Sequence, residues 1–394
     1  MTRVVIVGAS LAGLRAAQTL RDEGFVGELT VVGAEHHLPY DRPPLSKAIL
    51  LGEAEPSDIA LIDDAQYEAL GATWLLGQPA TGLEPGGVRV DDTLLAADGV
   101  VIATGARARV LPFPGIPVVH GLRTLDDALA LRDHLKRADR VAVIGGGFIG
   151  SEVASAAARL GCRVTITMEQ PSPLVDKVGP IVSGLLAQMM LESGVEQRTG
   201  VLVQKMTADD HGAVTVRLTD GTSVTADAVV VGCGATPNVE WLSQSAVDLG
   251  DGVAIDDWGR TSVPGVVAAG DVAGRRRGPE YVRSEHWTHA RDMPVVAART
   301  LLAHLHGTKL PDPYTSEAYF WSDLFGVRLQ AAGTVDPRRE WRVVEGAVTD
   351  RSFVAAQYDG EQISAIVGFD APRQFLQWRR RNAAALRSAA AATR

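Results

Sequence analysis

The chain has 394 residues, of which 46% are hydrophobic and 41 are glycine, with a formal charge of −9. That length exceeds one hydrophobic core and points to two or three domains. The composition excludes a disordered chain, and the acidic balance argues against a general nucleic-acid binder. No apolar run approaches the roughly 18 residues of a membrane span, and no leader-type segment precedes the first strand, so a cytoplasmic location with no membrane contact is expected.

Val4–Val7 reads as a buried parallel strand, followed by a glycine turn (Gly8, Ser10, Gly13) into a helix. Such a helix aims its N-terminal N–H groups at an anion, usually a pyrophosphate. Ser10 stands where the strict pattern has glycine; it is small enough to let a phosphate approach, and its hydroxyl can add a hydrogen bond. Thr30–Glu35 reads as the second strand, ending in an acid suited to ribose hydroxyls. The Pro39–Lys47 loop carries Arg42 and Lys47, with Ser46 placed to cap a helix starting near Lys47. Fixed cations beside a nucleotide and solvated loop charges are both open readings there.

Val100–Ile102 runs into the small-residue turn Ala103-Thr104-Gly105, which lets a ligand approach the backbone. Residues 124–137 read as a helix with acids at its start and bases at its end. The nucleotide unit then repeats with its full glycine pattern, Gly145, Gly147 and Gly150, ending at Glu152, and its second strand runs to Met168 and Glu169. Two copies in one chain imply two dinucleotides. A hairpin (Val214–Leu218, Ser223–Thr225) and a strand entering the Gly232–Asn238 turn, with Gly234, follow. Val266–Ala269 leads to Gly270-Asp271, where Asp271 reads as a helix N-cap, a sugar-hydroxyl ligand, or both. From about Leu310 the pattern becomes α+β, with strands at 330–335, 341–344, 353–357 and 363–369, a helix around 374–380 and a fraying Ala-rich tail. Cys162 and Cys233 form no C-x-x-C pair and read as small apolar residues, and no metal or iron–sulfur cluster is expected.

With these motifs in place, the chain resembles the FAD-dependent NAD(P)H:ferredoxin reductases that feed bacterial oxygenases, within the glutathione-reductase-like flavoproteins. The Pro39–Lys47 loop, Ala103–Gly105, Gly145–Glu152, Gly232–Asn238, Gly270-Asp271, Ser284–Trp287 and Phe320–Asp323 match in order, leaving only the tail outside. The resemblance implies two Rossmann-like α/β domains and a C-terminal α+β domain. The segments are an FAD domain (1–108 and 235–310), an inserted NAD domain (109–234) and a C-terminal domain (311–394).

By the same resemblance, Gly8, Gly13 and Glu35 hold the ADP part of FAD, Arg42 and Asp271 its pyrophosphate and ribityl groups, and Lys47 lies near flavin N5. Glu152 faces the nicotinamide and is expected to pair with Lys47 within about 6 Å. Trp287 and Trp321 line the flavin edge or sit in the core. The family's NADH-reading acid falls at Met168, so Glu169, if turned inward, favours NADH over NADPH. The implied partner is an acidic [2Fe–2S] ferredoxin docking near Arg275, Arg276, Arg277 and Arg283, and the protein is a monomer or homodimer. Rubredoxin reductase, an NADH-dependent quinone or small-molecule reductase or oxidase, and a non-catalytic NADH-responsive flavoprotein are the alternatives.

Overall fold

A computed structural model describes residues 1–113, 115–278, 280–315 and 318–392. Three five-stranded sheets organise it. The first is parallel, in the order 266–268, 99–102, 3–7, 28–33 and 73–76. Its central strands are continuous apolar runs, buried in a core shared with the helices and with the small antiparallel meander 80–96. Helix Leu11–Asp22 packs against the long helix Trp287–His306 on this unit. The chain thus leaves the first sheet after residue 102 and returns to it at 266.

The second sheet is also parallel, in the order 196–199, 163–168, 140–144, 228–231 and 119–120. Helix Leu125–Leu135 joins its strands 119–120 and 140–144. Thr124 caps that helix by accepting from the Asp127 N–H at 3.1 Å, and Asp127 bonds back in a capping box.

The third sheet is antiparallel, in the order 319–324, 327–333, 362–369, 352–359 and 342–347. One face, with Phe353 and Phe369, packs on the kinked helix Val175–Glu192 of the second unit. The other is covered by helices Pro372–Arg381 and Ala383–Ala392 through Phe375 and Leu386. The tail therefore does not fray from residue 382. Alanine is the best helix former, and Leu386, fully buried, anchors the last helix.

The structure departs from the sequence pattern elsewhere too. Ser46 is no helix cap: it ends a 3-10 turn, Pro43–Ser46, and the short helix Ala48–Leu51 starts at Lys47 without a side-chain cap. Asp271 begins no helix, because a 3-10 turn (Gly270–Val272) leads into the hairpin 273–277/280–283. In that hairpin side chains alternate, so Arg275 points inward and is buried while Arg276 is exposed. Finally, Tyr319–Leu324 is a strand that the sequence pattern did not reveal.

Candidate active site

The two glycine turns are built alike. A Cβ on Gly8 would lie 2.1 Å from the Ala103 carbonyl oxygen, and one on Gly145 would lie 2.4 Å from that of Gly232. A Cβ on Gly13 would lie 1.7 Å from the Gly8 oxygen, and one on Gly150 would lie 1.9 Å from that of Gly145. In both units the first and third glycines are therefore demanded by backbone contact. The middle position is different: a Cβ on Gly147 meets nothing nearer than 3.8 Å. That is why Ser10 fits in the first unit. Neither Ser10 nor Gly147 caps its helix with a side chain, so the helix N-termini keep N–H groups for a ligand.

The first turn opens into a cleft of about 1460 Å³ lined by Gly8–Ala12, Glu35, Arg42, Lys47, Ala103–Gly105 and Asp271. That exceeds the roughly 300–1,000 Å³ of an ordinary small-molecule pocket and suits an extended dinucleotide. Arg42 donates to Glu35 at 2.6 Å and to the Arg123 carbonyl. Tyr40 donates its phenol to the other Glu35 oxygen; burial holds that phenol well above its ordinary pKa, so it stays a donor. Each Glu35 oxygen retains a second lone pair for a ribose hydroxyl.

Arg123, which sequence reasoning missed, donates to Asp271 at 2.5 Å and to the Ala106 carbonyl at 2.9 Å. Thr104 and Asn238 exchange hydrogen bonds of 2.8 and 2.9 Å, stitching two strand ends together at the cleft wall. An anion-binding helix end, Arg42, Arg123 and a ribose-ready carboxylate fit an FAD.

Lys47 is placed by packing. Leu45, Ile49 and Leu50 of its loop are buried in one core with Leu125, Leu131 and Val153 of the second unit. Each such burial is worth roughly 1.5–3 kcal/mol, enough to fix the loop against the helix Phe148–Arg159. Lys47 Nζ then lies 2.7 Å from Glu152 Oε1, well inside the 6 Å limit. Glu152 is buried, and it also accepts from Ser46 and, at 2.5 Å, from Ser322 of the third sheet. Phe148 meets Phe320 edge-on at 4.5 Å, and His286 stacks on Phe320 at 5.7 Å. Burial lowers the His286 pKa, Lys177 adds to that and Asp271 opposes it.

Trp287 and Trp321 both line the cleft, edge to face at 5.7 Å, and the Trp287 indole donates to Asp41 at 2.7 Å. Tyr319 stacks on Trp321, and the Arg379 guanidinium lies 4.0 Å above the Tyr319 ring.

Other candidates lie elsewhere. Gly145 and Gly147 of the second glycine turn, Gly234 after strand 228–231 and Glu169 after strand 163–168 do not line this cleft. Met168 is buried against Gly146, and Glu169 after it is exposed, so of its two open orientations the acid takes the solvent-facing one. Arg275 and Arg283 cannot serve as a free docking patch: Arg275 is buried on Asp257, and Arg283, 9% exposed, pairs with Asp251 and Glu285. The Arg277 side chain is outside the described residues. Cys162 and Cys233 are both free and line no part of the cleft, and burial raises both thiol pKa values. No dithiol stands between the two nucleotide units. Among the described residues no group could hold a metal and no helix is long and apolar enough to cross a membrane.

Residues 2–293 match the pyridine nucleotide-disulphide oxidoreductase family, and residues 319–394 match the reductase C-terminal family. The chain belongs to the pyridine nucleotide-disulphide oxidoreductases. Within that family it is 37% identical to the ferredoxin–NAD(+) reductase component of the p-cumate 2,3-dioxygenase system of Pseudomonas putida, over 92% of this chain and 88% of that protein. It is 34% identical to rhodocoxin reductase of Rhodococcus erythropolis, over 96% of this chain and 88% of that protein. The crystal structure of the covalent putidaredoxin reductase–putidaredoxin complex superposes with a TM-score of 0.89 at 31% identity, covering 96% of this chain and 92% of that one. The second match shows that the family pattern extends through the tail, which the motif resemblance had left outside.

Proposed function

We propose that the chain is the NADH-dependent reductase of a [2Fe–2S] ferredoxin that supplies an oxygenase. The observation that carries this reading is the Lys47–Glu152 pair at 2.7 Å, set where the first unit's cleft meets the second unit's nucleotide helix, with no thiol beside it. Bound FAD would take a hydride from NADH and pass the electrons on singly, chemistry that belongs to the cofactor. The protein supplies binding, orientation and charge. The Gly8–Gly13 turn and Arg42 hold a pyrophosphate, Glu35 a ribose, and Asp271, braced by Arg123, a polyol hydroxyl. The Gly145–Gly150 turn holds NADH. Lys47 presents a fixed cation that favours negative charge on the group lying against it, and Glu152 aims that cation.

The proposed ferredoxin is acidic. With Arg275 buried and Arg283 paired to Asp251 and Glu285, the steering charges fall to exposed Arg276 and to Arg380 and Arg381. The latter pair sit on the helix whose Arg379 covers the Tyr319–Trp321 stack at the cleft. Such steering weakens as salt rises.

Cytochrome c reduction by NADH with and without a [2Fe–2S] ferredoxin, at two salt concentrations, tests the proposal. Ferredoxin-dependent turnover that falls with salt supports it. Full-rate turnover without ferredoxin points instead to a small-molecule reductase. NADH is the expected coenzyme, as in the relatives named for NAD(+), and comparing kcat/KM for NADH and NADPH checks that choice.

A further inference from the structure

Helix Phe148–Arg159 starts at the second glycine turn and presents Phe148, Glu152 and Ser155 on one face, at i, i+4 and i+7. The C-terminal sheet meets that face with its edge strand and the turn after it. Phe320 packs on Phe148, the Ser322 hydroxyl donates to Glu152 Oε1, and the Phe325 N–H donates to Ser155 Oγ at 2.8 Å. Ser322 is fully buried, and its position is fixed by pairing with Leu329 in the neighbouring strand. The oxygen it reaches is the one that meets Lys47 Nζ, while Ser46 holds Oε2. One carboxylate is thus gripped by the first unit's loop and by the C-terminal domain, and its rotation about the side chain is blocked from two sides.

We propose that Ser322 is a positioning residue of the reductase: it fixes the Glu152 carboxylate toward Lys47, so that the C-terminal domain completes the NADH-side centre. This rests on the reductase reading above. Displacing a catalytic group by about 1 Å costs roughly 100-fold in rate, so loss of one of three restraints should slow the chemistry while leaving coenzyme affinity in place.

The test is anaerobic stopped-flow reduction of the flavin-loaded protein by NADH, for Ser322→Ala, Glu152→Ala, the double variant and Ser155→Ala. Ser322→Ala is expected to lower the limiting reduction rate roughly 10- to 100-fold, with little change in the apparent NADH Kd. In the Glu152→Ala background the same change should alter the rate by no more than about twofold, as for an effect already lost. Ser155→Ala, which removes an inter-domain hydrogen bond without touching Glu152, should reduce at the wild-type rate.

Urea unfolding of wild type, Ser322→Ala, Glu152→Ala and the double variant gives a readout apart from activity, and the Ser322 and Glu152 changes should be non-additive there too. If Glu152→Ala does not fold, Glu152→Gln replaces it. Full additivity, or equal slowing in Ser155→Ala and Ser322→Ala, overturns the inference and leaves the reductase reading standing. A wild-type flavin that NADH does not bleach overturns both.

Discussion

Arg123 and Asp271 lie 148 positions apart in sequence and meet at 2.5 Å at the cleft wall. The Arg123 carbonyl also accepts from Arg42, so one residue braces both the Arg42 guanidinium and the Asp271 carboxylate. Arg123→Ala removes a charged hydrogen bond worth about 2 kcal/mol and frees the Asp271 carboxylate, while the backbone carbonyl that holds Arg42 stays. The expected outcome is protein that folds but loses flavin on gel filtration, read as a falling ratio of flavin to protein absorbance.

The glycines of the two turns separate into structural and ligand-facing positions. Gly8→Ala puts a Cβ 2.1 Å from a carbonyl oxygen at a backbone φ of +121°. It should destabilise by more than about 4 kcal/mol and give colourless or insoluble protein. Gly147→Ala has room within the protein, with its nearest contact at 3.8 Å. It should unfold within about 0.5 kcal/mol of wild type yet raise the KM for NADH, because only the coenzyme needs that space. Equal KM values for Gly147→Ala and wild type would move the coenzyme away from this turn.

Both thiols are half-buried and raised in pKa by that burial, and each donates to a backbone carbonyl, Cys162 to Ala138 and Cys233 to Ile144, at 3.4 Å. A thiol in such a setting is a poor nucleophile. Cys162→Ser and Cys233→Ser, alone or together, should retain wild-type NADH-dependent flavin reduction. A large loss of flavin reduction in the double variant would revive a thiol relay.

His289 is buried against Tyr314, and burial pushes its pKa down to about 4 from an ordinary 6.5. The folded chain favours the neutral ring, so its stability is full above pH 6.5. Below that, the unfolded chain takes up a proton that the folded one refuses, and stability falls until the pH reaches about 4. The shift corresponds to about 3 kcal/mol. Urea unfolding should therefore show a loss of that order between pH 7 and pH 4.5, and His289→Gln should flatten the slope across that interval.

Much of the nucleotide architecture was legible because backbone sterics leave no alternative: only glycine fits at Gly8, Gly13, Gly145 and Gly150. The Lys47–Glu152 contact followed from the family resemblance carried by those motifs. What was not legible depends on distant chain segments. Arg123 finds Asp271, and Ser322 finds Glu152, across separations of 148 and 170 residues. Local pattern also misled in two places. The Arg275–Arg277 run looked like a patch, but strand alternation turns Arg275 inward. The alanine-rich tail looked loose, yet Leu386 docks it on the sheet. At Glu169 the strand register leaves Met168 inside and the acid outside, which no composition argument distinguishes.

If two nucleotide cradles share one centre at Lys47 and Glu152, NADH must reduce the bound flavin, and anaerobic titration of the purified yellow protein with NADH reads that step. Complete bleaching of the flavin absorbance by one equivalent of NADH is expected, with bleaching slowed in Lys47→Met and Glu152→Gln that still hold flavin. A protein that stays colourless after incubation with FAD, or a bound flavin that NADH leaves oxidised, would contradict the shared centre.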